Sequence, residues 1–187
     1  MFSQKTHSIE LLFSLLLVAC AFYVSCASAK VVSGGVAMLN ILVDGNTVAM
    51  DWRSSVVNVL PYSQPATTAE QKQQLAKVKA IIASPSWVSF QGINCQQKQA
   101  TLDFSIVENV PKSSDHHAAQ KDSKTGKADA VSAHIVYVCE DAQSLRHIDV
   151  SLFDAFASLS AINVVWEKGS RQGISTLRKD QTVLAID

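Results

Sequence analysis

An excess of either charge is what this chain lacks most plainly: 16 basic and 16 acidic residues cancel over 187 positions. Binding to a nucleic-acid backbone draws on clustered positive charge, and no basic face offsets the balance, so nucleic acid is not an expected partner. Also missing are a Gly-rich phosphate loop, a Gly-x-Ser-x-Gly elbow and a His-Glu-x-x-His helix, which removes the common sequence signs of phosphate, acyl-transfer and metallohydrolase chemistry. Without them, carboxylates such as Asp103, Glu108 and Asp149 read as solvated charges. The sequence points away from an enzyme.

Long apolar runs are equally scarce. The one present, Leu11 to Val24, follows a weakly basic start at Lys5 and His7 and precedes the small residues Ala27-Ser28-Ala29. That is the pattern of a secretory signal peptide, cleaved after Ala29. About 20 uninterrupted apolar residues are needed to span a bilayer, and the run between Glu10 and Ser25 is shorter. Leu17-Val18-Ala19-Cys20 also resembles a lipobox, although the apolar run continues beyond Cys20 where lipoproteins turn polar. The expected organisation is therefore a signal peptide at 1–29 and a single domain at 30–187, exported to the periplasm or beyond, with no transmembrane segment after cleavage. About 160 residues suit one domain with one core.

Cysteine is sparse, and Cys20 and Cys26 fall in the leader, leaving Cys95 and Cys139. In an oxidising compartment two cysteines read first as a disulfide. Closing so long a loop stabilises by roughly 4 kcal/mol in the chain-entropy view. The competing reading, free thiolates as zinc ligands or a nucleophile, lacks the second Cys two to four residues away that zinc sites normally show.

What is there organises well. Val36 to Val43, the turn Asp44-Gly45-Asn46 and Thr47 to Trp52 read as a β-hairpin. Thr67-Thr68-Ala69-Glu70 reads as a capping box with Thr67 as N-cap, and Leu75, Val78 and Ile81 or Ile82 follow at helical spacing until Pro85 closes the helix. Trp87 to Phe90 is a short strand. Ala100, Leu102, Phe104 and Ile106 alternate as one longer strand, and Val131, Ala133, Ile135, Tyr137 and Cys139 as another, the two forming a long-looped antiparallel pair. A strand at Leu145–Val150, a short helix from Ser151 and strands at Ile162–Glu167, near Ile174 and at Val183–Ile186 complete the chain. The expected fold class is α+β, mainly antiparallel sheet with two helices packed on one face.

Between the paired strands lies a polar excursion, 111–129, carrying Asp115, His116 and His117. So long a structureless connection in a small domain is either a binding element or a linker.

Several phrases, in order and spacing, carry a resemblance: Gly35-Val36-Ala37-Met38-Leu39-Asn40-Ile41, Asp44-Gly45-Asn46-Thr47, the helix with Gln71-Lys72, Cys95, Tyr137-Val138-Cys139 and Ile148-Asp149-Val150-Ser151-Leu152-Phe153. Together they resemble the ZrgA-like proteins, a family of exported bacterial zinc-binding proteins, over nearly all of the chain after the leader. The resemblance implies zinc binding in the periplasm beside a zinc importer of the envelope, without catalysis. The family's His-rich phrase before the first strand is absent from Lys30 to Gly34, and its aromatic-acidic-His phrase before the helix is here Val57-Asn58-Val59-Leu60-Pro61-Tyr62.

A zinc site wants three or four donors, with imidazole nitrogen at about 2.0–2.1 Å. The candidate set is His116, His117, His134 and Asp115. His134 stands near the mouth of the excursion, and His147 reads as an ordinary surface histidine. Two rival readings accompany the zinc-binding accessory protein. One is a metal-free envelope interaction module presenting strand edges or the aromatics Trp52, Tyr62 and Trp166, and the other is a hydrolase using a free Cys95 or Cys139.

Overall fold

The computed structural model describes residues 35–108 and 130–186, all within one compact unit, Val31–Asp187. The expected leader at 1–29, the lipobox cysteine Cys20 and the excursion at 111–129 lie outside the described residues.

The chain opens with the expected hairpin, β1 (Val36–Asp44) and β2 (Thr47–Ser55), in continuous antiparallel register from Ala37↔Ser54 to Asp44↔Thr47. Gly45 makes the turn at φ 53°, in the left-handed region that glycine enters without a Cβ penalty. A single turn of 3-10 helix (Val56–Asn58) follows. Its buried Asn58 accepts from the Gly35 backbone N–H and donates to the Val36 carbonyl and Ser54 Oγ, so an amide in the core is fully occupied.

The one long helix among the described residues, α1 (Ala69–Ala83), starts one residue later than the spacing predicts. Thr68, not Thr67, is the N-cap: its hydroxyl accepts from Gln71 N–H at 3.2 Å, and Gln71 Oε1 accepts from the Thr68 and Thr67 N–H groups at 3.1 and 2.9 Å. The box thus closes on Gln71 instead of Glu70. Leu75, Val78 and Ile82 are buried along one face of this helix.

After a 3-10 turn (Pro85–Trp87) come β3 (Val88–Phe90) and β4 (Cys95–Asp103). The expected strand through Ile106 ends early, because Asp103 Oδ1 accepts from the Ser105 N–H at 3.1 Å and turns the chain into the one-turn helix α2 (Ser105–Glu108). A short acidic side chain serving the backbone two residues on competes with the ladder, and here it wins. Lys79 of α1 pairs with Glu108 of α2.

Next are β5 (Ala130–Cys139), β6 (His147–Val150), the one-turn helix α3 (Leu152–Ala155), β7 (Ala161–Lys168), β8 (Arg171–Leu177) and β9 (Val183–Ala185). Six strands form one sheet in the order β4-β5-β2-β1-β7-β8, and β3-β6-β9 form a second. Among the described strands every pairing is antiparallel except β1 with β7, which run in parallel. The fold class is α+β and mostly sheet, as the sequence implies, though among the described helices only α1 exceeds a single turn.

The core lies on one face of the six-stranded sheet, where Leu39, Ile41, Met50, Trp52, Ile135, Tyr137 and Val164 meet α1 and the small sheet. Phe90 of β3 packs edge-on against Tyr137 of β5, ring centroids 4.8 Å apart, which links the two sheets. At the β8 margin Trp166 lies across Gly173, where an added Cβ would sit 2.6 Å from the indole.

Candidate metal centre

Alternation along β2 and β5 sends every second side chain inward and the others to the outer face of the sheet. On β2, Val48, Met50 and Trp52 are sealed while Asp51 and Arg53 are exposed; on β5, Val131, Ala133, Ile135 and Tyr137 are sealed while His134 points outward. The antiparallel register sets Asp51 directly opposite His134, with Thr101 on the far side of His134 and Asn40 beyond Asp51. Thr101, His134, Asp51 and Asn40 therefore form one row across four neighbouring strands.

Within that row His134 Nδ1 lies 2.8 Å from Asp51 Oδ1, the side chains 44% and 61% exposed. A polar contact so well hydrated contributes about 0–1 kcal/mol. Its interest is orientation: one ring nitrogen is engaged by the carboxylate and the other, Nε2, is directed away from it.

Sequence reasoning names His134 but misses Asp51. The outward alternation of β2 and of β5 is readable, yet the register that joins residues 83 apart is not. Of the remaining expected ligands, Asp115, His116 and His117 lie outside the described residues. Among the described residues no three His, Cys, Asp or Glu side chains gather as a metal site. Measured against the three or four donors that zinc requires, Asp51 and His134 offer one imidazole and one carboxylate, a fit in donor type and a partial one in number. His147 is exposed on the small sheet, at the margin of β6.

Cys95 and Cys139 are bonded, as expected, with Cα atoms 4.0 Å apart and in direct cross-strand register. The bond pins the end of the β4–β5 pair remote from Asp103 and Ala130, between which the chain runs through α2 and residues 109–129. With both sulfurs engaged, neither cysteine offers the free thiol that a nucleophile needs. Trp52 is also no surface contact, being 1% exposed. Tyr62 and Trp166 are partly buried against the core. Burial pushes the Tyr137 phenol up to about 12.

Residues 33–186 match the model of a protein family described as ZrgA family zinc uptake protein. The chain belongs to the ZrgA family. Its role is accordingly related to zinc uptake. No curated protein matches the chain. No helix among the described residues is long and apolar enough to cross a membrane.

Proposed function

We propose that this ZrgA protein is an exported zinc-binding accessory protein that captures the ion outside the cytoplasm and delivers it to an envelope zinc-uptake system. His134 supplies a fixed imidazole on the outer sheet face, and Asp115, His116 and His117 supply the donors that bring the set to the number zinc needs. The leader at 1–29 directs export, and the protein acts by binding, without catalysis. The observation that carries the reading is the family match to zinc uptake proteins over 33–186, joined to an exposed His134 braced by Asp51.

Calorimetric titration of the protein with zinc tests it. Heat is expected at tens of micromolar zinc or below, reduced by His116→Ala/His117→Ala and by His134→Ala. Protons compete with the ion for imidazole, so binding weakens on acidification below about pH 6. No heat in that range, or heat indifferent to all three histidines, removes the proposal.

A second reading has its own observation. Leu42, Val165 and Ile174 are exposed on the outer face of the same sheet, Ile174 at 83%, which suits a metal-free interaction module. Recovery of the same envelope partner with and without chelator favours that module, and loss of the partner under chelation favours zinc capture.

A further inference from the structure

Sheet edges are where a β protein can accept another chain, and most such proteins blunt them. Among the described strands four are edges, and three of these are blunted. β3 and β9 hold three residues each, too few to template a long pairing. β4 has a register break between Gln97 and Gln99 with the exposed Lys98 at the break, and both features discourage a further strand. β8 has neither defence: it runs against β7 without a break from Lys168↔Arg171 to Ile162↔Leu177, and Gln172 to Leu177 carry no charge and no proline.

The free side of β8 is suited to take a strand. Alternate residues of an antiparallel ladder turn their N–H and C=O away from the neighbour they pair with, and no further described segment bonds the backbone of 172–177. After β8 the chain turns back at the Arg178↔Gln181 bridge and leaves for β9. Gly173 alone would weaken such an edge, but Trp166 of β7 lies across it and fills the space its missing side chain leaves. Ile174, 83% exposed in mid-strand, stands in register beside Val165, 40% exposed, on the outer face. The two form an apolar platform that reaches the edge.

Charge selects the occupant. Arg171 at the start of β8 and Arg178 and Lys179 after its end are exposed, and none of them forms an ion pair among the described residues. Residues 171–179 carry these cations and no acid; Glu167 lies one strand in, opposite Gln172, and Asp180 in the turn beyond. A second copy pairing antiparallel about Ile174 would bring Arg171 of each chain beside Arg178 of the other, and like charges opposed across a ladder destabilise it. An extended segment with β-branched residues in its middle and carboxylates at both ends sets an acid against each cation instead, while its backbone completes the free hydrogen bonds. We propose that the β8 edge accepts such a segment from a partner protein as an added strand of the six-stranded sheet. The inference goes beyond both functional readings above and holds with or without zinc.

A synthetic peptide of alternating Thr and Val between paired Glu residues is the probe, and a Lys-ended version of it is the control. With the Glu-ended peptide at millimolar concentration, amide hydrogen exchange of the full protein should slow at the outward amides of Gln172–Thr176 and stay unchanged along β4. The Lys-ended peptide should give no protection, and added salt should weaken binding of the Glu-ended one. Arg171→Glu/Arg178→Glu/Lys179→Glu should lower its affinity about tenfold or more, because each acid then meets a like charge. Ile174→Asp should weaken it as well, and both variants should keep the melting midpoint, since the altered side chains are exposed. Equal protection by the two peptides, protection along β4 instead, or none at β8 overturns the proposal. So does slowed exchange at β8 that grows with protein concentration in the absence of peptide, because that makes a second copy the occupant. All of these readings are taken with chelator present, so their failure is separate from any failure of the zinc reading.

Discussion

The inner and outer faces of the six-stranded sheet are built from alternate residues of the same strands, yet they respond to different demands. Inward, Leu39, Met50, Trp52 and Ile135 are sealed against α1 and the small sheet, and stability depends on their volume. Outward, Asn40, Asp51, Thr101 and His134 are hydrated, and little of the folding free energy depends on them. A scaffold divided in this way can gain or lose ligands on one face without disturbing the other. A chain of this family can therefore keep its fold whatever donors its outer face carries.

The sharpest way to break the comparison is to substitute neighbours on β2. Trp52→Ala should destabilise by about 3–5 kcal/mol, the usual cost of emptying a large aromatic site in a core. Asp51→Ala, one residue away, should stay within about 0.5–1 kcal/mol, as for an exposed pair. Urea unfolding curves read both, and comparable losses at the two positions would end the division of labour. Nearly as large is the effect expected of the cross-strand disulfide. Replacing Cys95 and Cys139 together by Ala should cost about 4 kcal/mol, because the bond closes a long loop in the unfolded chain. Zinc affinity should change much less, since the bond pins the end of the β4–β5 pair remote from Asp103.

A smaller effect concerns pH. Tyr137 on the inner face ionises at about 12, raised from 10.0 by burial, so the folded state holds its proton after the unfolded chain has released it. The contribution is fully present below pH 10 and is lost as pH rises from 10 towards 12. Alkaline unfolding should therefore be shifted in Tyr137→Phe, which has no phenol to ionise, and an unchanged alkaline limb would contradict the assigned burial. Least of all is expected from His134→Ala, within about 0.5 kcal/mol in the absence of zinc. Thermal melts with and without zinc check it, because only the zinc-dependent increment should disappear.

Local chemistry made much of the fold readable. Asp44-Gly45-Asn46 between alternating segments specifies the hairpin, and the disulfide matches what an expected oxidising compartment implies for two cysteines. The helix start slips by one because Thr67 and Thr68 are adjacent and Glu70 and Gln71 both lie at box spacing, so only the completed hydrogen bonds choose between them. Ile106 alternates like a strand residue, but the Asp103 side chain intercepts the backbone at Ser105. The parallel union of β1 with β7 and the meeting of Asp51 with His134 are matters of long-range register, set by how the inner faces pack together. No local pattern encodes them. Hence the fold was largely legible, while the most informative contact of the candidate site was only half so.

The most direct test is X-ray absorption at the zinc edge of the loaded protein, which counts imidazole ligands. The account predicts nitrogen and oxygen donors at about 2.0–2.1 Å with imidazole scattering that falls by one ring in His134→Ala. An imidazole signal unaltered by that substitution, or sulfur in the coordination shell, would contradict it.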